Sequence, residues 1–361
     1  MESVLIKHLR LRLAETRQFD RIVIKSESRT ATPAHRQKRA DAIVEMRRGK
    51  QRIILLVEVK RYGYPRDLHQ AVRHLESAKN NLPKNMRASL IVPLVLAESI
   101  SPGARILLRE QGVGYCDQGG SLYISAPGLL LWLDRPAPKF GERRIRSLFS
   151  GRRAQVLIGL MRHRQEWINV AGLAKIAHVS TATASETLSE LEKYEWVDVR
   201  GRGPSKERYL RDPAGLLDAW AIAPRLARYT QSRWYRYSAT TDSVIREMAH
   251  QLDEFGIDYA LTMECGANLL APYLTAMSQL HIVISPSRSP ESVAEQLNLK
   301  PATEGANVLL LQSRSQAALL FREKVNEVFV ADPVLVYLDL IGASGRSKEA
   351  ADHLRRERIG F

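Results

Sequence analysis

VAGLAKIA (Val170–Ala177), HVS (His178–Ser180), TATASETLSELEK (Thr181–Lys193), WVDV (Trp196–Val199) and RGRGPSKERYL (Arg200–Leu210) follow one another almost without interruption. Upstream, Arg152–His163 places Val156, Leu157, Leu160 and Met161 at helical spacing, so a first helix is predicted there. Val170–Ala177 predicts a short second helix, Val179-Ser180 a turn, and Thr181–Lys193 a third helix with Ala184, Leu188 and Leu191 as its buried stripe. Thr183 and Glu186 stand three residues apart, the spacing of a capping box at the start of that helix. Beyond it Trp196–Val199 alternates as a strand, Arg200–Lys206 makes a Gly- and Pro-rich turn, and Arg208–Leu210 returns.

Helix, helix, turn, helix and hairpin in this order read as a winged helix-turn-helix, and double-stranded DNA is its expected partner. Such modules place the third helix in the major groove. The expected contacts are Thr181, Thr183, Ser185, Glu186 and Ser189 on that helix, with Arg200, Arg202, Lys206 and Arg208 on the wing. The helix face has no Arg, Asn or Gln, the residues that make bidentate base contacts, so sequence reading is expected to be shared with the wing and with DNA shape. The wing cations supply salt-sensitive grip on phosphate. No cofactor is needed for such binding.

Composition agrees with a polyanionic partner. The 361 residues carry 54 Lys and Arg against 39 Asp and Glu, a net charge of +15 spread along the chain. A hydrophobic share of 45% describes a globular protein of two or three domains. The longest apolar runs, such as Gly128–Leu133, fall far short of a membrane span. Charged residues interrupt the N-terminal apolar ones, against a signal peptide. Two isolated cysteines, Cys116 and Cys265, suit a reducing compartment, and the expected location is cytoplasmic.

Before the winged helix, residues 1–138 read as an α/β domain. An amphipathic helix places Val4, Leu5, Leu9 and Leu13 on one side, and a basic polar segment follows over Lys25–Arg39. Strands are expected at Ala42–Met46, Ile53–Val59, Leu90–Leu96, Gly114–Cys116 and Leu122–Ile124, with helices at Tyr64–Ala78 and Ala104–Gln111. Pro93 either weakens the strand expected at Leu90–Leu96 or marks it as an edge. Helices are expected on both faces of the sheet. Pro136–Gly141 is the expected linker.

Asp41 opens one strand and Glu58-Val59-Lys60 closes the next, with Glu58 and Lys60 on one face. Two carboxylates beside a lysine suit a hydrolytic site. The acids hold magnesium or manganese, and the lysine steers the attacking water. This arrangement resembles the PD-(D/E)xK nuclease superfamily over roughly residues 1–130. There Gln70 falls where several members carry a glutamine on the following helix, and Glu2 or Glu15 would be the first-helix acid. The resemblance implies a metal-dependent endonuclease targeted by the winged helix as the alternative function, with Asp41, Glu58, Lys60 and Gln70 catalytic.

Residues 222–361 form a third segment. Thr241–Phe255 predicts a helix with Val244, Ile245, Met248, Leu252 and Phe255 inward; Tyr259–Thr262, Leu280–Ile284 and Val308–Leu311 predict strands. Between the first two, Met263–Gly266 reads as a turn and Ala267–Tyr273 as a helix. The order is similar to minimal nucleotidyltransferases, whose second strand carries paired metal-binding aspartates. Leu280-His-Ile-Val-Ile284 has none, so transfer chemistry is not expected. Handling of RNA through this segment is disfavoured too, for want of a basic–aromatic platform.

Gly112-Val-Gly-Tyr-Cys-Asp117 with Gly119-Gly120, Tyr259–Thr262 through Leu269–Tyr273, and Val334-Leu-Val-Tyr-Leu-Asp339 also resemble the AbiEi type of bacterial antitoxin and transcriptional regulator. That resemblance implies an autorepressor or antitoxin, a cognate toxin as partner, and a homodimer on an inverted DNA repeat.

Overall fold

The computed structural model describes residues 2–26, 40–135, 147–223, 228–237, 241–275, 277–343 and 346–361. The linker expected at Pro136–Gly141, and most of the segment Lys25–Arg39, lie outside them. The chain is mixed α/β and divides into two compact units, Met1–Arg144 with Ser189–Glu195, and Ile145–Leu188 with Trp196–Phe361.

The first unit is built on a seven-stranded sheet whose strands stand in chain order: β1 (Arg21–Ser26), β2 (Ala42–Arg48), β3 (Gln51–Gly63), β4 (Leu90–Ile100), β5 (Gly114–Asp117), β6 (Leu122–Ala126) and β7 (Leu129–Leu133). β3, β4 and β5 run parallel, and the remaining neighbours pair antiparallel. Ile53–Val57 of β3 is buried without interruption, the expected pattern for a strand covered on both faces.

On one face α1 (Glu2–Glu15) lays Leu5, Leu9 and Leu13 against Val44, Leu55 and Leu94. On the other, α2 (Pro65–Asn80) and α3 (Pro102–Glu110) bury Leu68, Leu75, Ala104 and Leu108 against Ile54, Leu56 and Val95. Pro93 is not at the sheet's edge. β5 joins β4 only from Leu94 onward, so the proline sits where β4 has a ladder partner on one side, and its missing N–H costs no bond there. The N-terminal part of the basic segment is strand β1.

The second unit opens with α4 (Gly151–Arg162), a two-residue strand β8 (Ile168–Asn169), α5 (Val170–Ile176) and α6 (Thr181–Lys193), whose last residues fall in the first unit. β9 (Val197–Arg200) and β10 (Glu207–Leu210) close a three-stranded antiparallel sheet ordered β8-β10-β9. Val156, Leu157, Leu160 and Met161 of α4 and Ala184, Leu188 and Leu191 of α6 are buried, as the periodicity predicts. The α6 cap differs from the expected box. Ser180 is the N-cap, with its Oγ 3.2 Å from the Thr183 N–H, and Thr183 occupies the third helical position.

After α7 (Pro213–Ile222) comes a second seven-stranded sheet. Its strands are β11 (Tyr229–Tyr235), β12 (Tyr259–Thr262), β13 (Leu280–Ile284), β14 (Lys300–Pro301), β15 (Val308–Ser313), β16 (Glu323–Val325) and β17 (Val328–Val330). Their order is β14-β11-β15-β13-β12-β17-β16, with β15, β13 and β12 at the centre. α8 (Thr241–Glu254) buries Val244, Ile245, Met248 and Leu252 on it. Phe255 is exposed rather than inward, because the helix ends at Glu254. The segment after β12 contains no separate turn: α9 (Met263–Leu270) starts directly, with Met263 at φ 57°. Val334–Ile341 is helical, as α10 (Pro333–Leu340), followed by α11 (Arg346–Leu354). Among the described residues no helix is long and apolar enough to cross a membrane.

Candidate functional site

Two clusters gather the residues singled out by the sequence, one in each unit. In the second unit, the buried stripe of α6 turns the opposite side of the helix outward. Thr181, Ala182, Glu186 and Ser189 are exposed, and Thr183 and Ser185 are half-buried. The Thr183 hydroxyl lies 3.0 Å from that of Ser180, and its carbonyl accepts from Thr187, so local bonds occupy it. Glu186 is 67% exposed, and its Oε2 lies 3.1 Å from Nη2 of Arg153 on α4.

In the β9–β10 hairpin, Gly201 adopts φ 74° and leaves no room for a side chain, since a Cβ there would stand 2.7 Å from the Ser205 carbonyl oxygen. A short 3-10 turn at Gly203–Ser205 then reverses the chain. Arg202 is exposed at the tip, and Lys206 is half-buried. Arg200 is held from two sides: Nε donates to Glu207 Oε2 at 2.6 Å, and the guanidinium lies 4.5 Å from the Trp167 ring centre. Trp167 in turn packs on Tyr209.

Arg208 departs from the sequence expectation. It is 4% exposed, and its Nη1 donates inward to the Lys206 carbonyl. The expected two-stranded wing has a third strand. β10 therefore lies between β8 and β9, and period-two alternation sends Arg208 and Leu210 to the covered face. Sequence reasoning also missed β8, Trp167 and Arg153. The aromatic Trp167 beside Ile168 was the available signal.

In the first unit, the β2–β3 register pairs Ala42 with Val57, which sets Asp41 opposite Glu58. The Val59 N–H donates to Asp41 Oδ2 at 2.7 Å. Glu58 is 5% exposed and has both oxygens engaged, Oε1 by Lys60 Nζ at 2.9 Å and Oε2 by His74 Nδ1 at 2.8 Å. Asp41, Glu58 and Lys60 thus come together. Gln70 is exposed on α2, and the helix residue that reaches Glu58 is His74, one turn further on.

This set does not fit a divalent cation. Among the described residues no three His, Cys, Asp or Glu side chains converge where one ion would bind them all. Hard cations want several oxygen ligands, and Lys60 and His74 already occupy those of Glu58. Of the first-helix acids, Glu2 is half-buried and Glu15 pairs with Arg12.

Two aspartates from the quoted patterns have structural partners. Asp117 is fully buried, takes Arg105 Nη2 at 2.8 Å and the Ser121 N–H at 3.1 Å, and burial raises its carboxyl above the ordinary range. Asp339 on α10 accepts from Thr262 Oγ1 at 2.6 Å and from the Tyr229 hydroxyl at 3.1 Å, and pairs with Arg228 at 2.7 Å. These bonds tie α10 to β11 (Tyr229–Tyr235) and β12. His281 on β13 is buried, which lowers its pKa. Both cysteines are buried, and burial pushes the Cys116 thiol up to about 12, so that it is protonated and inert at neutral pH.

Residues 209–359 match the family model described as "Transcriptional regulator, AbiEi antitoxin, Type IV TA system". The match begins on β10 and leaves α4, α5, α6 and the tip of the β9–β10 hairpin outside it. No curated protein matches the chain, and no solved structure does.

Proposed function

We propose that the protein is a double-stranded-DNA-binding transcriptional regulator of the antitoxin type, acting through the winged helix of residues 151–210. One observation carries the reading. The segment immediately before the AbiEi match presents an exposed helix face on α6 beside a hairpin with exposed Arg202 at its tip. A groove-sized helix with a cationic wing is how such modules hold duplex DNA: the helix faces the base edges, and the wing grips the backbone. The C-terminal sheet domain, resembling a nucleotidyltransferase whose acidic strand has been lost, serves contact rather than catalysis. A cognate toxin and a second copy of the chain are its proposed partners.

The test is a fluorescence anisotropy titration of the full chain against the duplex upstream of its own gene, with a scrambled duplex as control, from 50 to 300 mM salt. Selective binding with a steep salt dependence is expected. Equal affinity for both duplexes removes the regulator reading.

A second reading, a metal-dependent nuclease site on Asp41, Glu58 and Lys60, is disfavoured by the engagement of both Glu58 oxygens by Lys60 and His74. Incubating supercoiled plasmid with magnesium or manganese decides it. Nicking by the wild type that Lys60→Ala abolishes supports cleavage, and intact plasmid in both samples rejects it.

A further inference from the structure

We propose that Glu186 is the base-reading residue of the recognition helix, accepting a hydrogen bond from the N4 amino group of a cytosine in the major groove. The inference rests on the winged-helix reading above and assigns the group that confers its sequence preference. Ala182, Glu186 and Ser189 stand at i, i+4 and i+7 of α6 and are all exposed, opposite the buried Ala184, Leu188 and Leu191. Recognition helices meet base edges with their N-terminal turns, where Ala182 and Glu186 lie.

Of that stripe, alanine offers only a methyl group and serine a hydroxyl that either donates or accepts. A carboxylate only accepts, and in the major groove its matching partner is the cytosine amino group. An unsupported carboxylate would be repelled by the DNA backbone, but Glu186 is supported. Arg153, reaching across from α4, holds Oε2 at 3.1 Å and offsets its charge. Oε1 accepts no hydrogen bond from any described residue. Arg153 is therefore a positioning residue, fixing the carboxylate with one oxygen turned to the groove. An exposed pair of this kind adds little to folding stability, so its removal leaves the module intact for testing.

The experiment is selection from a pool of random 20-base-pair duplexes by the full-length wild type, by Glu186→Gln and by Arg153→Ala. The motifs are followed by titration of duplex pairs differing at one base pair. The wild type is expected to enrich a C·G pair at one position of its site and to discriminate against T·A there by about tenfold. Glutamine both donates and accepts and matches adenine, so Glu186→Gln is expected to move the preference at that position to adenine with the rest of the motif unchanged. Arg153→Ala is expected to blunt the discrimination without changing the preferred base. The same motif and the same discrimination in Glu186→Gln would overturn the proposal. Retention of duplex by the wild type without any enriched motif would overturn it as well, while leaving backbone binding in place. Retention of no duplex at all would instead remove the winged-helix reading on which it rests.

Discussion

Asp332 and Arg162 meet at 3.0 Å, and the contact joins α4 to the start of α10. Asp332 Oδ1 caps α10 by accepting the Val334 N–H at 2.9 Å, while Arg162 also donates to the Phe321 carbonyl. The aspartate is buried, and desolvation raises its pKa from 3.8 to about 6 in spite of the guanidinium beside it.

The sign of the pH dependence follows. A carboxyl with a raised folded-state pKa binds its proton more tightly folded than unfolded. Its contribution is therefore most favourable below about pH 4 and declines as the pH rises to about 6. Asp332→Asn keeps an oxygen for the cap and has no charge to desolvate. Compared by urea unfolding at pH 4.5 and pH 7.5, the variant should gain on the wild type at the higher pH, by an amount on the order of 2 kcal/mol. A difference that stays constant between the two pH values would show that Asp332 is not the titrating group.

Arg105 gives a prediction about stability alone. It joins Asp117, which is fully buried, to Asp134 after β7. Removing one partner of a buried pair strands the other charge. Arg105→Ala should cost about 3–5 kcal/mol in chemical unfolding, well beyond a surface substitution. A loss under 1 kcal/mol would mean that Asp117 finds another cation or water.

The sequence showed some of these relationships and hid others, for reasons that lie in particular residues. Helical periodicity exposed the core of α6, which buries a single stripe, but only part of that of α4, which is buried all round from Ala154 to Met161. Strand alternation with the Asp41 spacing was enough to bring Asp41, Glu58 and Lys60 together, since hairpin register fixes which residues face each other. Gln70 and His74 lie one turn apart on α2, and which of them reaches Glu58 depends on how the helix lies over the sheet, which spacing does not encode. Arg208 was misread because β8 has only two residues, too few for a pattern, and that short strand decides which face of β10 is covered. Asp117 and Asp339 stood out only by resemblance. Arg105 lies 12 residues before Asp117 on a preceding helix, and the Asp339 partners Thr262 and Arg228 come from distant parts of the chain.

The corrected orientation of Arg208 separates two arginines on the same hairpin. Arg202→Ala should weaken binding to every duplex and lower the slope of log affinity against log salt by about one, with an unchanged melting temperature. Arg208→Ala should lower the melting temperature, because it empties a buried position in the central strand. Anisotropy and thermal unfolding on the two variants check the pair. If Arg202→Ala binds like the wild type, the wing tip is not at the DNA.

The Glu207 carboxylate, 2.6 Å from Arg200 Nε, is an anion that Arg200 already holds. To grip DNA, Arg200 has to exchange one anion for another, and that exchange returns less free energy than a contact made by an unpaired cation. Trp167 keeps the guanidinium on its ring during the exchange, so little side-chain entropy is lost. Glu207→Gln removes the competing charge and leaves the stack in place. Affinity for duplex DNA should then rise by about three- to tenfold at 100 mM salt, consistent with roughly 1 kcal/mol for an exposed ion pair. In the Arg200→Ala background the gain should shrink, because no guanidinium remains to be released. A Glu207→Gln gain of the same size with and without Arg200 would mean that the glutamate acts by general repulsion of DNA, and that Arg200 belongs to the wing's internal packing.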